Sequence, residues 1–220
     1  MIRRLWRDNG LSITVLGLFA LFLVLQAMAG YQVYLDELRA DGMPPVDVAA
    51  YLTSGHFVEA TFENWESEFL QMGALVVLSV FLYQKGSPES KDPDADEEVD
   101  REGDPRRPEA PWPVRAGGLV RVVYERSLAI ALFGLFGLSL LLHVIGGAGE
   151  LSRQRIAAGE PPVTAVEFLF TPDFWFQSMQ NWQSEFLSVG ALVILTVFLR
   201  QKGSPESKPV DESTASTGTD

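Results

Sequence analysis

Sliding the sequence against itself by 117 positions aligns residues 1–91 with 118–208 without a gap. From Asn64 onward 22 of 28 pairs are identical, "NWESEF…QKGSPESK" facing "NWQSEF…QKGSPESK", whereas 17 of the preceding 63 pairs match. The sparser matches include Gly17-Leu18-Phe19 facing Gly134-Leu135-Phe136, and Gly42 with Pro44-Pro45-Val46 facing Gly159 with Pro161-Pro162-Val163. A constant offset means that even the loops kept their length. The chain therefore reads as a tandem duplication of one unit, and a fold proposed for one copy must suit the other.

Each copy opens on an uncharged apolar run. Leu11–Gly30 holds twenty residues without a charge, the length a bilayer core demands, and its mate is Leu128–Gly147. Phe69–Tyr83 and Phe186–Leu199 are shorter, but helical phase extends them back through Trp65 and Trp182. These segments predict an all-α membrane protein of four transmembrane helices, at about 11–30, 64–84, 127–147 and 181–201, arranged as two parallel two-helix repeats. The first segment also has signal-peptide features, a basic start and an Ala27-Met28-Ala29 site. Its repeat mate is internal, however, so a retained helix is the expectation; a purified protein beginning at Gly30 would overturn it.

Composition matters here through its segregation. Hydrophobic residues make up 47% of the chain, yet the net charge is −12, because acids crowd into two polar tracts. The organisation expected is repeat 1 over 1–85, a disordered acidic Pro-rich linker over 86–115, repeat 2 over 116–202 and a disordered tail over 203–220. The acidic balance argues against nucleic acid as a partner, and the absence of cysteine removes disulfides and thiolate chemistry. Two distant histidines make no zinc-ligand spacing, so no metal or other cofactor is expected.

Lys and Arg set the orientation. The N-terminus, linker region and C-terminus carry 14 of the 17; the loops 31–63 and 148–180 carry only Arg39, Arg153 and Arg155. Both termini are expected to be cytoplasmic. Outside the bilayer, Tyr31, Tyr34, Leu35 and Leu38 continue the first helix at helical spacing until Gly42 stops it. Ser54-Gly55-His56 and Thr171-Pro172-Asp173 read as starts of the second and fourth helices, each running about thirty residues, roughly 45 Å. Trp65, Trp182, Tyr31 and Tyr83 sit where an interfacial aromatic belt would lie.

The repeated glutamate carries the functional question. Glu68 and Glu185 fall about four residues inside the outer boundary, roughly 6 Å deep. Thr61, Asn64, Glu68, Gln71 and Ser79 share one stripe, as do Ser178, Asn181, Glu185, Ser188 and Thr196. Gln26 and His143 lie at similar depth on the preceding helices, so Gln26–Glu68 and His143–Glu185 contacts are geometrically open. Such groups serve either as interhelical hydrogen bonds or as a proton or cation site. No nucleophile, base and orienting group can be assembled, so an enzyme is not expected.

The "NW-x-SEF…QKGSPESK" unit, the "YLTSGHFVEATFENW" approach and the "RRLWRDNGLS" start resemble an uncharacterised bacterial membrane-protein family, a domain of unknown function. The resemblance implies a bacterial inner-membrane location and no activity. The expectation is a structural or adaptor protein whose partners are the bilayer and a protein held by linker or tail. The alternative is a small proton- or cation-linked transporter or channel using the Glu68/Glu185 pair.

Overall fold

Gly42 and Gly159 stop the first long helix of each copy in the same way. Their φ values of 69° and 78° lie in the left-handed region, and no Cβ opposes that conformation in glycine. Met43 N–H reaches back to Leu38 O (2.7 Å) and Glu160 N–H to Arg155 O (2.8 Å), while Gly42 and Gly159 N–H bond Arg39 O and Ile156 O. Both are Schellman closures, satisfying carbonyls the helix end would otherwise leave bare. The computed structural model describes residues 2–218.

Among the described residues eight α-helices follow in chain order: α1 Ile2–Ala40, α2 Val48–Leu52, α3 Gly55–Phe81, α4 Trp112–Ala116, α5 Gly118–Glu125, α6 Ser127–Ala157, α7 Ala165–Phe168 and α8 Pro172–Phe198. The described residues contain no strand. α3 and α8 start where the capping signals place them: Ser54 Oγ accepts from Phe57 N–H and Thr171 Oγ1 from Phe174 N–H, both at 3.3 Å. Three helices, α1, α6 and α8, are long and apolar enough to cross a membrane. α3 equals α8 at 27 residues but carries Glu59, Glu63, Glu66 and Glu68, and it is not one of the three. No residue in the apolar stretch of α1 is buried inside the protein.

The chain divides into two compact units, each drawing on both sequence copies. The first comprises the described residues up to Phe62 with Leu142–Phe174. Here the short helices α2 and α7, absent from the sequence expectations, drive aromatic rings against the long ones. Asp47 caps α2, and Thr164 with Glu167 forms a capping box at α7. Tyr51 and Phe168, both about 1% exposed, are repeat mates. Tyr51 stands where a side chain on Gly30 would be, and Phe168 where one on Gly147 would be. Glycine stands at both mates because a Cβ would strike the Tyr51 hydroxyl at one and the Phe168 ring at the other. Full burial of each ring stabilises the unit by roughly 1.5–3 kcal/mol. Tyr34, Leu38 and Tyr51 form a core edged by Tyr31, Met43, Val46 and Phe57. The start of α3 crosses α6 backbone to backbone, since a Cβ on Gly55 would lie 2.6 Å from Gly146 O and one on Gly146 2.5 Å from Glu59 N.

The second unit comprises Glu63–Leu141 and the described residues from Trp175 on. Residues 84–91 and 201–208, the "QKGSPESK" copies, fold into the same turn. Gln84 N–H bonds Ser90 Oγ (2.8 Å) and Gln201 N–H bonds Ser207 Oγ (2.9 Å), with Gly86 and Gly203 at φ 88° and 86°. Glu89 and Glu206 N–H bond Ser87 and Ser204 Oγ, each at 3.2 Å. The tail then folds back: Gly86 N–H donates to Thr217 Oγ1 (2.9 Å) and Gly218 N–H to Ser87 O (3.1 Å). Over 86–115, where disorder is expected, the described chain has a 3-10 turn at Glu98–Asp100 and most of α4. Lys91 Nζ bridges to Asp100 at 2.7 Å.

Candidate functional site

α3 carries four acids along a helix whose C-terminal half is apolar, and burial separates them. Glu68, the expected site residue, is exposed, while Glu66, two positions earlier, is 0% exposed. A two-residue step turns a helical side chain by about 200°, so the two point to opposite faces. Trp182 Nε1–H donates to Glu66 Oε1 at 3.0 Å, and the Ser178 hydroxyl donates to the same oxygen at 3.3 Å. Ser178 and Trp182 are four apart on α8, so one face presents both donors together. A buried carboxyl without such partners would cost several kcal/mol.

The remaining expected residues fall into three environments. Glu185 is half-buried and lies within electrostatic reach of Glu68. Asn64 is exposed, and its carbonyl accepts the Ser67 hydroxyl (2.7 Å); the mate carbonyl of Asn181 accepts Ser184 (2.8 Å). The Asn181 amide caps Gln177 O at 3.1 Å. The expected stripe on α3 divides: Thr61 and Gln71 are buried, Asn64 and Glu68 are not. Gln26 donates to Thr61 Oγ1 at 3.3 Å. His143 is fully buried, its ring centroid 5.2 Å from that of Phe174 and 6.2 Å from that of Phe168.

In the sequence Arg153 stands out only as one of the three basic residues of the loops 31–63 and 148–180. In the structure it is the centre of the first unit's polar network. Its guanidinium donates to Asp41 Oδ2 (2.6 Å), Glu37 Oε2 (3.1 Å) and Glu150 Oε1 (2.6 Å), and it lies 5.3 Å from the Tyr34 ring centroid. Gln154 Nε2 adds a bond to Glu150 (3.0 Å), and His56 Nε2 stands 3.9 Å from Glu37. Three carboxylates, Glu37 on α1, Asp41 in the turn after it and Glu150 on α6, thus share one planar fork, which lysine could not reproduce. One signal in the sequence could have found both groups. Glu66 faces Gln183, Asp36 faces Arg153 and Glu37 faces Gln154 when the copies are aligned. Both groups join the two copies at positions where the copies differ.

Within the described residues no cluster of three or more His, Cys, Asp or Glu could hold a metal. The arrangement supplies interhelical hydrogen bonds, one multidentate ion-pair centre and two carboxyl groups within electrostatic reach of each other. No curated protein and no solved structure matches the chain. One family model does, over residues 2–219, and the chain belongs to that family, Domain of unknown function (DUF6766).

Proposed function

We propose that the chain is a non-enzymatic structural or adaptor protein of the bacterial cytoplasmic membrane. It is built from two tandem two-helix repeats, with α1, α3, α6 and α8 as four spans and both termini in the cytoplasm. The acidic linker 86–115 and tail 203–220 are its partner-binding segments. The observation that carries this reading is the Arg153 centre. Asp41 and Arg153 are 2.6 Å apart, so both lie on one side of the membrane. Between them the chain crosses once through α6, so it must cross once more, and α3, at 27 residues or about 40 Å, is long enough to do it. The same contact ties the end of one repeat's first helix to the other's, as a rigid scaffold requires. Crosslinking from cells tests the adaptor role: a stoichiometric partner should be retained by the full chain and lost when 86–115 is deleted. An unchanged partner profile after that deletion would remove it.

The proximity of Glu68 and Glu185 favours a second reading, a proton- or cation-linked transporter or channel. Liposomes containing only this protein should show no flux if the scaffold reading holds. Flux abolished by Glu68→Gln or Glu185→Gln would establish the second reading instead.

A further inference from the structure

We propose that residues 112–126 are a membrane-surface anchor, in which α4 and α5 rest on the lipid headgroups beside the start of α6 with a preference for anionic phospholipid. The inference rests on the reading of α6 as a membrane span. α5, "GLVRVVYE", sorts its side chains by face. At 100° per residue Leu119, Val120, Val122, Val123 and Tyr124 fill one broad arc. Arg121 and Glu125, four apart, close an ion pair of 2.6 Å on the opposite side. The apolar arc is uncovered: Leu119 is 82% exposed and Val123 55%, and Trp112 on α4 is 66% exposed. The chain's own linker lies on the other side, where a side chain at Gly103 would meet Val114 and the Arg121 guanidinium.

Two observations make lipid the occupant. The first is continuity. α5 ends at Glu125 and α6 begins at Ser127, so a single residue, Arg126, separates the exposed arc from a helix apolar enough to cross a membrane. Leu128 and Ile130, the next apolar residues, are exposed in turn. A face tethered that closely cannot leave the headgroup region. The second is charge. Residues 92–109 hold nine acids against three arginines, whereas 112–126 hold Arg115, Arg121 and Arg126 against Glu125 alone. The sign changes where the chain reaches the membrane, as attraction to an anionic leaflet requires. An apolar face with Trp and Arg at its margins is the composition of an interfacial helix.

The first copy shows the same pattern in another form. Arg4 and Asp8, mates of Arg121 and Glu125, pair at 3.5 Å, and Leu5 and Trp6, mates of Val122 and Val123, are exposed. There the helix is continuous with α1. In the second copy it breaks at Arg126 (φ −115°, ψ 8°), which lets α5 take a direction of its own.

Because the chain has no cysteine, single-cysteine variants of the full protein carry one spin label each. Labels at positions 119, 123, 95 and 138 would be compared in phosphatidylcholine vesicles with and without phosphatidylglycerol, by collision with oxygen and with a water-soluble nickel complex. The proposal expects labels at 119 and 123 to collide several-fold less with nickel than the label at 95, and to move deeper with phosphatidylglycerol. Labels at 119 and 123 as accessible to nickel as that at 95, with 138 in lipid, would overturn the anchor alone. Shielding of 119 and 123 from both reagents would assign the face to a protein surface and overturn it equally. Equal depth in both vesicle types would remove the anionic preference, and a water-exposed label at 138 would overturn the anchor together with the span.

Discussion

Glu66 and Arg153 make opposite demands on their surroundings, and each leads to a prediction. Glu66 is an acceptor with two donors, Ser178 and Trp182, aimed at one oxygen. Glu66→Ala leaves buried Ser178 and half-buried Trp182 unmatched, so the expected loss is about 1–3 kcal/mol, whereas Glu66→Gln keeps a carbonyl oxygen and should cost less. Thermal unfolding in detergent micelles measures both; equal losses would show that the contact is not what holds the residue. Arg153 is a donor shared among three carboxylates. Arg153→Lys supplies a point charge that cannot reach Glu37, Asp41 and Glu150 together, and about 1.5–3 kcal/mol should be lost. Neither residue stood out in the sequence. Repetition draws attention to identical positions such as Glu68 and Glu185, while a contact between unlike copies is written at positions that differ, Glu66/Gln183 and Asp36/Arg153.

At the scale of elements the sequence was far more legible, because helix ends are encoded locally. Ser54 and Thr171 announced α3 and α8, and Gly42 announced the end of α1; Gly159, its repeat mate, ends α6 in the same way. The short helices α2 and α7 were missed although Thr164-x-x-Glu167 is a capping-box spelling; four or five residues are too few to show a helical period. Packing of elements is encoded in pairs and cannot be read singly, as at the α3–α6 crossing. Gly146→Val should disrupt that crossing, since even a Cβ at 146 meets the Glu59 backbone, and a loss of about 1–3 kcal/mol is expected by thermal unfolding. Gly134→Val, at a position with nothing within 4 Å, should cost less. The two "QKGSPESK" turns bring the Glu89 and Glu206 carboxyls within reach of a shared proton. Burial, that sharing and the neighbouring charge push the Glu89 carboxyl up to about 7 from 4.5. The folded turn therefore favours the proton: the contact is at full strength below about pH 4.5, weakens as pH rises and is lost above about 7. Amide exchange in 84–91 and 201–208, corrected for intrinsic rate, should quicken between pH 6 and 8. Glu89→Gln should remove that pH dependence.

For the whole molecule the decisive quantity is the number of crossings, because parity fixes which surfaces a partner can reach. Three spans, α1, α6 and α8, would put the acidic linker and the tail on the side opposite the N-terminus. They would also place Asp41 and Arg153 across a bilayer from one another, which a 2.6 Å ion pair forbids. The four spans proposed above would remove both conflicts and would gather the N-terminus, linker and C-terminus, with 14 of the 17 Lys and Arg, on the cytoplasmic side. The cost is that α3 must carry Glu66 and Glu68 into the membrane. Glu66 would meet that cost with the Ser178 and Trp182 donors, and Glu68 would lie about one turn from the proposed outer boundary, within reach of water. Four spans therefore predict one outcome for cysteines placed singly in this cysteine-free chain. Ala49→Cys and Ala157→Cys should react with an impermeant maleimide added outside intact cells, and Ala95→Cys and Ala215→Cys only after the inner membrane is opened. Labelling of positions 49 and 157 from opposite faces would reject both α3 as a span and the Arg153 centre. Labelling of 95 and 215 from outside, with 49 and 157 protected, would keep four spans and invert the molecule, which the basic residues beside its spans oppose.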